Sequence, residues 1–107
     1  MAEKFIPVAK VGDVKPGAAI VVEAGFQEIA LCNVDGRIHA VDNICTHADE
    51  RLGPCALEGC AIECPRHGAQ FDVRTGEVLS MPASHPLAVY ETKIEGDAIF
   101  VKVDVDE

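Results

Sequence analysis

Two short stretches each join a cysteine to a histidine. ICTHADE (44–50) holds Cys45 and His47, and ECPRHGAQFD (63–72) holds Cys64 and His67. Nothing else in the chain restricts its fold as strongly, because four soft ligands drawn to one point force two loops to meet. In an extended backbone, residues two apart point to the same side, so Cys45 and His47 reach one centre from a single loop. Cys64 and His67 are three apart and need the chain to turn back. Pro65 fixes one φ angle there, and Gly68 lets the backbone pass close to a bound group. Two chemistries suit two thiolates and two imidazoles. A single zinc ion takes them tetrahedrally as a structural cross-link. A 2Fe-2S cluster takes two Cys on one iron and two His on the other. Ligand counting does not separate them, although a zinc finger usually spaces its paired cysteines by about two to four residues. Coincidence is the bland alternative, and four such residues in this order around tight turns argue against it.

The sequence on either side reads as strands. GAAIVVEA (17–24) is a β-branched run, and QEIALCN (27–33) and GRIHAVD (36–42) flank a hairpin turn at Val34-Asp35-Gly36. LAVYETKI (87–94) and DAIFVKV (97–103) flank a second turn at Glu95-Gly96. In the last run Ile99, Val101 and Val103 alternate with Ala98, Phe100 and Lys102, the period of a half-buried strand. No window sustains a 3.6-residue apolar period. The expected class is all-β, with short strands closed into a small barrel or sandwich. Residues 43–86 differ from this frame. They are rich in turns and ligands, with Pro54, Pro65, Pro82 and Pro86 among them. They read as an insertion with a small core, of the kind a metal holds together.

Charge and size narrow the function. At 107 residues the chain is one domain. Nine basic against eighteen acidic residues, a net charge of -9, argue against nucleic acid or an anionic membrane surface as partner. The same charge fits a basic partner surface, or only keeps the protein in solution. The longest strictly apolar run, AAIVV (18–22), is far short of the ~20 residues that span a bilayer. MAEKFIPVAK carries no export signal, so the cytoplasm is the expected compartment, and cysteines there suggest metal chemistry before disulfides.

CTH (45–47), LEG (57–59), ECPRHG (63–68), FD (71–72), TG (75–76) and Pro82-Ala83 together resemble the Rieske iron–sulfur domain. The resemblance runs from the hairpin at 27–42 through the last strand. It implies a Rieske-like fold of small antiparallel sheets with an inserted cluster-binding subdomain. The basal part would be about 1–42 and 84–107, and the cluster-binding part about 43–83. It also implies one Rieske-type 2Fe-2S cluster, with Cys45 and Cys64 on the inner iron and His47 and His67 on the outer. The Met81-Pro82 turn would correspond to the loop that covers the cluster.

Within that family, quinol-oxidising members add a membrane anchor and a third cysteine in each ligand loop. Glu50 and Arg66 stand at those places here. Oxygenase α-subunits need a second, mononuclear iron site in a further domain. The chain is most similar to the free-standing ferredoxin that carries single electrons from a flavin-dependent reductase to a terminal ring-hydroxylating oxygenase. The expected protein is therefore no enzyme itself, binds neither nucleic acid nor membrane, and is a monomer when free. Asp49 and Glu50 are candidates for docking, with Arg51 and Arg66 in the same neighbourhood. Two other readings stay open: a small subunit of a nitrite-reductase-type enzyme, and a structural zinc module. Cys32 reads as a small buried residue. Cys55 and Cys60 read as unpaired thiols before a disulfide, and His39 and His85 as structural or exposed.

Overall fold

The structure is a computed structural model that describes residues 2–44, 51–65, 68–81 and 85–105. Eleven strands in three antiparallel sheets and one short 3-10 helix, Val11–Asp13, make up the regular structure of the described residues. The central sheet has five strands: β2 (Ala18–Ala24), β3 (Gln27–Val34), β4 (Arg37–Asp42), β5 (Cys55–Ala56) and β9 (Val89–Tyr90), in the order β5-β2-β3-β4-β9. On one side lies the sheet β1-β11-β10, from β1 (Ala2–Lys10), β10 (Thr92–Glu95) and β11 (Ala98–Val105). The third sheet is built from β6 (Ala61–Glu63), β7 (Gln70–Asp72) and β8 (Val78–Ser80), in chain order.

The middle position of the central sheet explains its sequence. Successive side chains of a strand point to opposite faces. Ile29 and Leu31 of β3 join a core with Val14, Ile38, Ala40, Ile99, Val101 and Val103. Ala30 and Cys32 join a second core with Ala19, Val41, Leu52, Ile62, Cys64 and Phe71. QEIALCN lacks a clean alternation because both of its faces are covered. In β11 the expected alternation holds: Ile99, Val101 and Val103 are buried, and Phe100 and Lys102 face outward. The outward Phe5 and Phe100 rings lie under lysine stems, with Lys93 Nζ 4.7 Å from the Phe5 centroid and 5.3 Å from that of Phe100.

Three elements depart from the sequence reading. The run 87–94 is two strands in two different sheets. β9 pairs with β4 and β10 with β11, and Glu91, whose carbonyl accepts from Lys102 N–H at 2.9 Å, lies between them. Period-two patterning cannot reveal such a switch, since both halves keep one face buried. Residues 2–10 form β1, with Pro7 at a register shift between Pro7 and Ala9 on an edge strand, where a missing N–H is tolerated. The middle third contains β5 to β8 as well as turns, and β5 pairs with β2, so this region is stitched directly to the central sheet.

A single glycine joins the third sheet to the segment before β9. Gly76 has φ +80°, a left-handed backbone, and its carbonyl accepts from Leu87 N–H at 2.8 Å. A Cβ there would collide with the Leu87 carbonyl and press on Val89. Gly76→Ala therefore combines left-handed strain with overpacking and should cost about 2–4 kcal/mol. Gly12→Ala, which meets nothing within 4 Å, should be near neutral. Chemical denaturation of the two variants checks this.

Candidate metal centre

Of the four candidate ligands, Cys64 lies within the described residues. Cys45, His47 and His67 lie outside them, as do Asp49, Glu50, Arg66, Pro82 and Ala83. The surroundings of Cys64 are well defined. It leaves β6 and enters the turn that returns the chain into β7. Its N–H donates to the Ala69 carbonyl at 2.7 Å, and its carbonyl accepts from Gly68 N–H at 3.0 Å. Gly68 adopts φ +76°, the left-handed geometry expected where the chain must double back. Pro65 sits exposed at the turn. The Cys64 side chain is fully buried and packs with Leu52, Ile62, Ala69, Phe71 and Val73. A thiol shielded from water, on a turn fixed by two backbone hydrogen bonds, fits a structural or redox metal group.

The first loop is defined at its foot. Ile44 and Arg51 form an antiparallel bridge that encloses residues 45–50. Leu52, the next residue, packs in the same apolar cluster as Cys64. The foot of the first loop and the second ligand turn therefore share one core. Asn43, just before the loop, is fully buried, and the sequence reading gave it no role.

The FD and TG motifs turn out to be scaffold. Asp72 ends β7 and accepts from Arg74 at its backbone N–H (2.8 Å), Nε (3.1 Å) and Nη2 (2.8 Å). Its own carbonyl accepts from Gly76 N–H at 2.7 Å, which closes the turn into β8. The Arg74 hydrogen bond holds the Asp72 carboxyl below the usual carboxylate range, against burial that pushes the other way. Cys60 carries a free thiol near this pair and forms part of its electrostatic surroundings. Cys32 is fully buried, as expected, with Sγ 3.8 Å from the Ala30 carbonyl. His39 is half-buried, and burial is the main reason its imidazole titrates below the usual range.

β8, paired to the strand that follows the second turn, carries exposed apolar side chains on and just after it. Leu79 and Met81 are exposed, Met81 by 84%. They flank Ser80, whose Oγ accepts from Gln70 N–H at 3.1 Å. Two open hollows of about 240 and 330 Å³ lie elsewhere, lined by Glu23, Phe26 and Glu28 and by Glu3, Tyr90 and Lys102. No helix of the described residues is long and apolar enough to cross a membrane.

Comparison with known proteins agrees with this geometry. Residues 4–91 match the model of the Rieske [2Fe-2S] domain. The chain is 38% identical over 104 residues to the ferredoxin component of the naphthalene 1,2-dioxygenase/salicylate 5-hydroxylase systems of Ralstonia sp., covering 97% of this chain and 100% of that protein. Among solved structures it is similar to a Sphingomonas yanoikuyae B1 ferredoxin, with TM-score 0.88 and 31% identity over 94% of this chain and 100% of the other. It is likewise similar to a chain in the complex of reduced oxygenase and oxidized ferredoxin in carbazole 1,9a-dioxygenase, with TM-score 0.85 and 33% identity over 91% of each chain.

The Asp72–Arg74 pair sets an acid limit on the second ligand hairpin. A carboxyl whose folded pKa is depressed adds stability above its unfolded value of about 4, and that contribution is lost as pH falls through the folded value. Asp72→Asn should therefore be less stable than wild type at pH 7, and the gap should close progressively below about pH 4. Thermal unfolding of both proteins between neutral and acid pH measures it. A gap that is unchanged at acid pH would mean that the carboxylate charge is not what matters.

Proposed function

Because the chain belongs to the Rieske [2Fe-2S] domain family, we propose that it is a one-electron carrier passing electrons from a flavin-dependent ferredoxin reductase to a terminal ring-hydroxylating oxygenase. The observation that carries this reading is the full-length likeness to ferredoxin components of dioxygenase systems, at 97% of this chain and 100% of the relative. Those relatives are electron-transfer components of multicomponent systems and not the catalytic enzymes. The oxygenase as partner is supported by the related carbazole 1,9a-dioxygenase complex. The reductase and a cytoplasmic location complete the proposal.

Cys45, His47, Cys64 and His67 would hold one Rieske-type 2Fe-2S cluster, the cysteines on the inner iron and the histidines on the outer. When bound, the cluster supplies reversible one-electron chemistry. The chain's own residues supply three things. The buried turn at Cys64 fixes one thiolate and excludes water from its side of the site. The apolar pair Leu79 and Met81, on and just after β8, offers surface for a partner to dry on contact. The acidic excess, a net charge of -9, favours an encounter with a basic partner face. The division into a basal part, about 1–42 and 84–107, and a cluster-binding part, about 43–83, goes with this proposal.

Reconstituted under anaerobic conditions, the chain should bind two irons and two acid-labile sulfides, as its family's [2Fe-2S] group requires. Cys45→Ser, Cys64→Ser, His47→Ala and His67→Ala should each lose the visible absorption, whereas Cys32→Ser and Cys60→Ser should keep it. The carrier role is tested by reduction with NADH through a flavoprotein ferredoxin reductase, followed by oxidation by a ring-hydroxylating oxygenase. One zinc per chain and no sulfide would overturn the reading.

The reduction potential follows from two buried side chains. High-potential Rieske relatives resemble this chain but carry a serine and a tyrosine at the places of Ala69 and Phe71, whose hydroxyls donate to sulfur. Here Ala69 and Phe71 are both fully buried and bring no hydroxyl. Donors to sulfur favour the added negative charge of the reduced state. Their absence puts the potential toward the low end of the roughly -150 to +300 mV range. A net hydrogen bond of roughly 0.5–1.5 kcal/mol, if fully differential between redox states, corresponds to roughly 20–65 mV for one electron. Ala69→Ser and Phe71→Tyr should each raise the potential by that order, read by protein-film voltammetry with the cluster intact.

A further inference from the structure

One carboxylate oxygen ties together the two ends of the first ligand loop. Glu28, on β3, presents Oε1 to Asn43 Nδ2 at 2.7 Å and to Arg51 Nε at 2.7 Å. Asn43 precedes residues 45–50 and Arg51 follows them. The donors therefore arrive from opposite ends of the same loop. Asn43 makes three further bonds: its N–H donates to the Glu28 carbonyl (3.0 Å), its carbonyl accepts from Leu52 N–H (2.8 Å), and its Oδ1 accepts from Gly53 N–H (2.9 Å). Both Asn43 and Glu28 thus engage through side chain and backbone together. The Ile44–Arg51 bridge sits inside this knot.

Apolar packing alone would close such a loop, but it fixes position loosely, because a greasy contact tolerates sliding. A buried amide satisfied at both of its ends has one low-energy placement, and leaving it unpaired is costly. The two donors also hold the Glu28 carboxyl ionised, below the usual carboxylate range, the Asn43 bond contributing most and the Arg51 bond next. Leu52, bonded to Asn43 through the backbone, packs against the core that contains Cys64. The knot therefore places the foot of the first loop relative to both β3 and the second ligand turn.

We propose that Glu28, Asn43 and Arg51 are positioning residues for the cluster: their knot at the foot of residues 45–50 sets the placement of Cys45 and His47, and with it the coordination geometry and retention of the bound iron. This rests on the assignment of Cys45 and His47 as ligands.

The test uses the holoprotein and three readouts: the EPR spectrum of the reduced state, the rate of iron release to a chromogenic ferrous chelator, and the melting temperature. Asn43→Ala empties a fully buried site and endangers folding, so the informative variants are Glu28→Gln and Arg51→Ala. Arg51 is exposed, with a side-chain accessibility of 71%. Both variants should release iron about three- to tenfold faster than wild type: Arg51→Ala loses one hydrogen bond of ordinary net strength, and Glu28→Gln keeps an oxygen acceptor but loses the charge that strengthens both of its bonds. Their EPR lines should shift or broaden. Arg51→Lys, which keeps a donor, should restore most of the wild-type behaviour. Glu95→Gln, which breaks the exposed Lys93–Glu95 pair on the outer sheet, should change neither the spectrum nor the release rate. Wild-type spectra and release rates in both Glu28→Gln and Arg51→Ala would overturn the proposal. So would a change in release rate matched by Glu95→Gln. Cys45→Ser separates the premise from the inference: a retained cluster spectrum there overturns the ligand assignment, whereas a colourless Cys45→Ser beside unaffected knot variants overturns the knot alone.

Discussion

β3 is buried on both faces, and the two faces are built differently. Toward the β1-β11-β10 sheet it presents Ile29 and Leu31, and toward the third sheet it presents Ala30 and Cys32. Ala19 on β2 also faces the third sheet. Small side chains on that floor let the short hairpins of β6, β7 and β8 settle close, while branched and larger ones fill the deeper basal core. The large residues of the second core, Phe71, Ile62 and Leu52, come mainly from the layer above. The layer that contains Cys64 is therefore seated on a central-sheet face lined mostly by small side chains. Constellations held on strands keep tighter geometry than those held on long loops.

That upper layer has little apolar mass of its own. Its strands are three residues each, and an isolated hairpin of that size is at best marginally stable in water. Backbone ties compensate. Val73 N–H donates to the Cys60 carbonyl, Asp72 N–H to Glu77, Leu57 N–H to Gly17 and Leu87 N–H to Gly76, each at 2.8–2.9 Å. The last two reach out of the layer, one to the turn before β2 and one to the segment before β9. A metal group adds a further cross-link, since binding free energy that requires the folded arrangement is folding free energy. Held by the proposed ligands, iron would be both the working part of a carrier and a cross-link in the layer that contains Cys64.

How much of this was legible beforehand depended on which physical signal each feature leaves. The hairpin at 27–42 announced itself through strand-rich runs around its turn, and the second, read over 87–103, through Glu95-Gly96 and the alternation of its last strand. The 2Fe-2S cofactor class was legible from ligand types at unusual spacing read together with the family resemblance, since spacing alone left zinc open. β1 was silent because Pro7 breaks its pattern, and only its position as an edge strand makes that harmless. The switch of sheets at Glu91 was silent because burial on one face reads the same in either sheet. Asn43 and Glu28 were silent for a different reason. They are fifteen residues apart in sequence and belong to no motif, and their bond exists only once β3 and the end of β4 are paired, Ile29 opposite Asp42. Side-chain-to-side-chain knots are products of register, and a single sequence does not display register.

Three buried polar side chains stand among the described residues: Asn33, Asn43 and Asp72. All three occupy the foot of a connection. Asn33 donates to the Val14 carbonyl at 2.9 Å and accepts from Gly36 N–H at 2.8 Å, and so fixes the turn between β3 and β4. Asn43 fixes the base of residues 45–50, and Asp72 fixes the turn between β7 and β8. No buried side-chain nitrogen or oxygen among the described residues lacks a partner. Apolar burial is non-directional and settles which layer lies on which. Hydrogen bonds inside a low-dielectric interior are directional and costly to misplace. The protein thus uses its many apolar contacts to stack three sheets, and it reserves its few buried polar groups for the places where a loop must emerge at one angle only. One of those three connections, residues 45–50 with Asn43 at its foot, carries two of the proposed cluster ligands, and there a carrier that makes no bond to a substrate still needs a single, stable geometry.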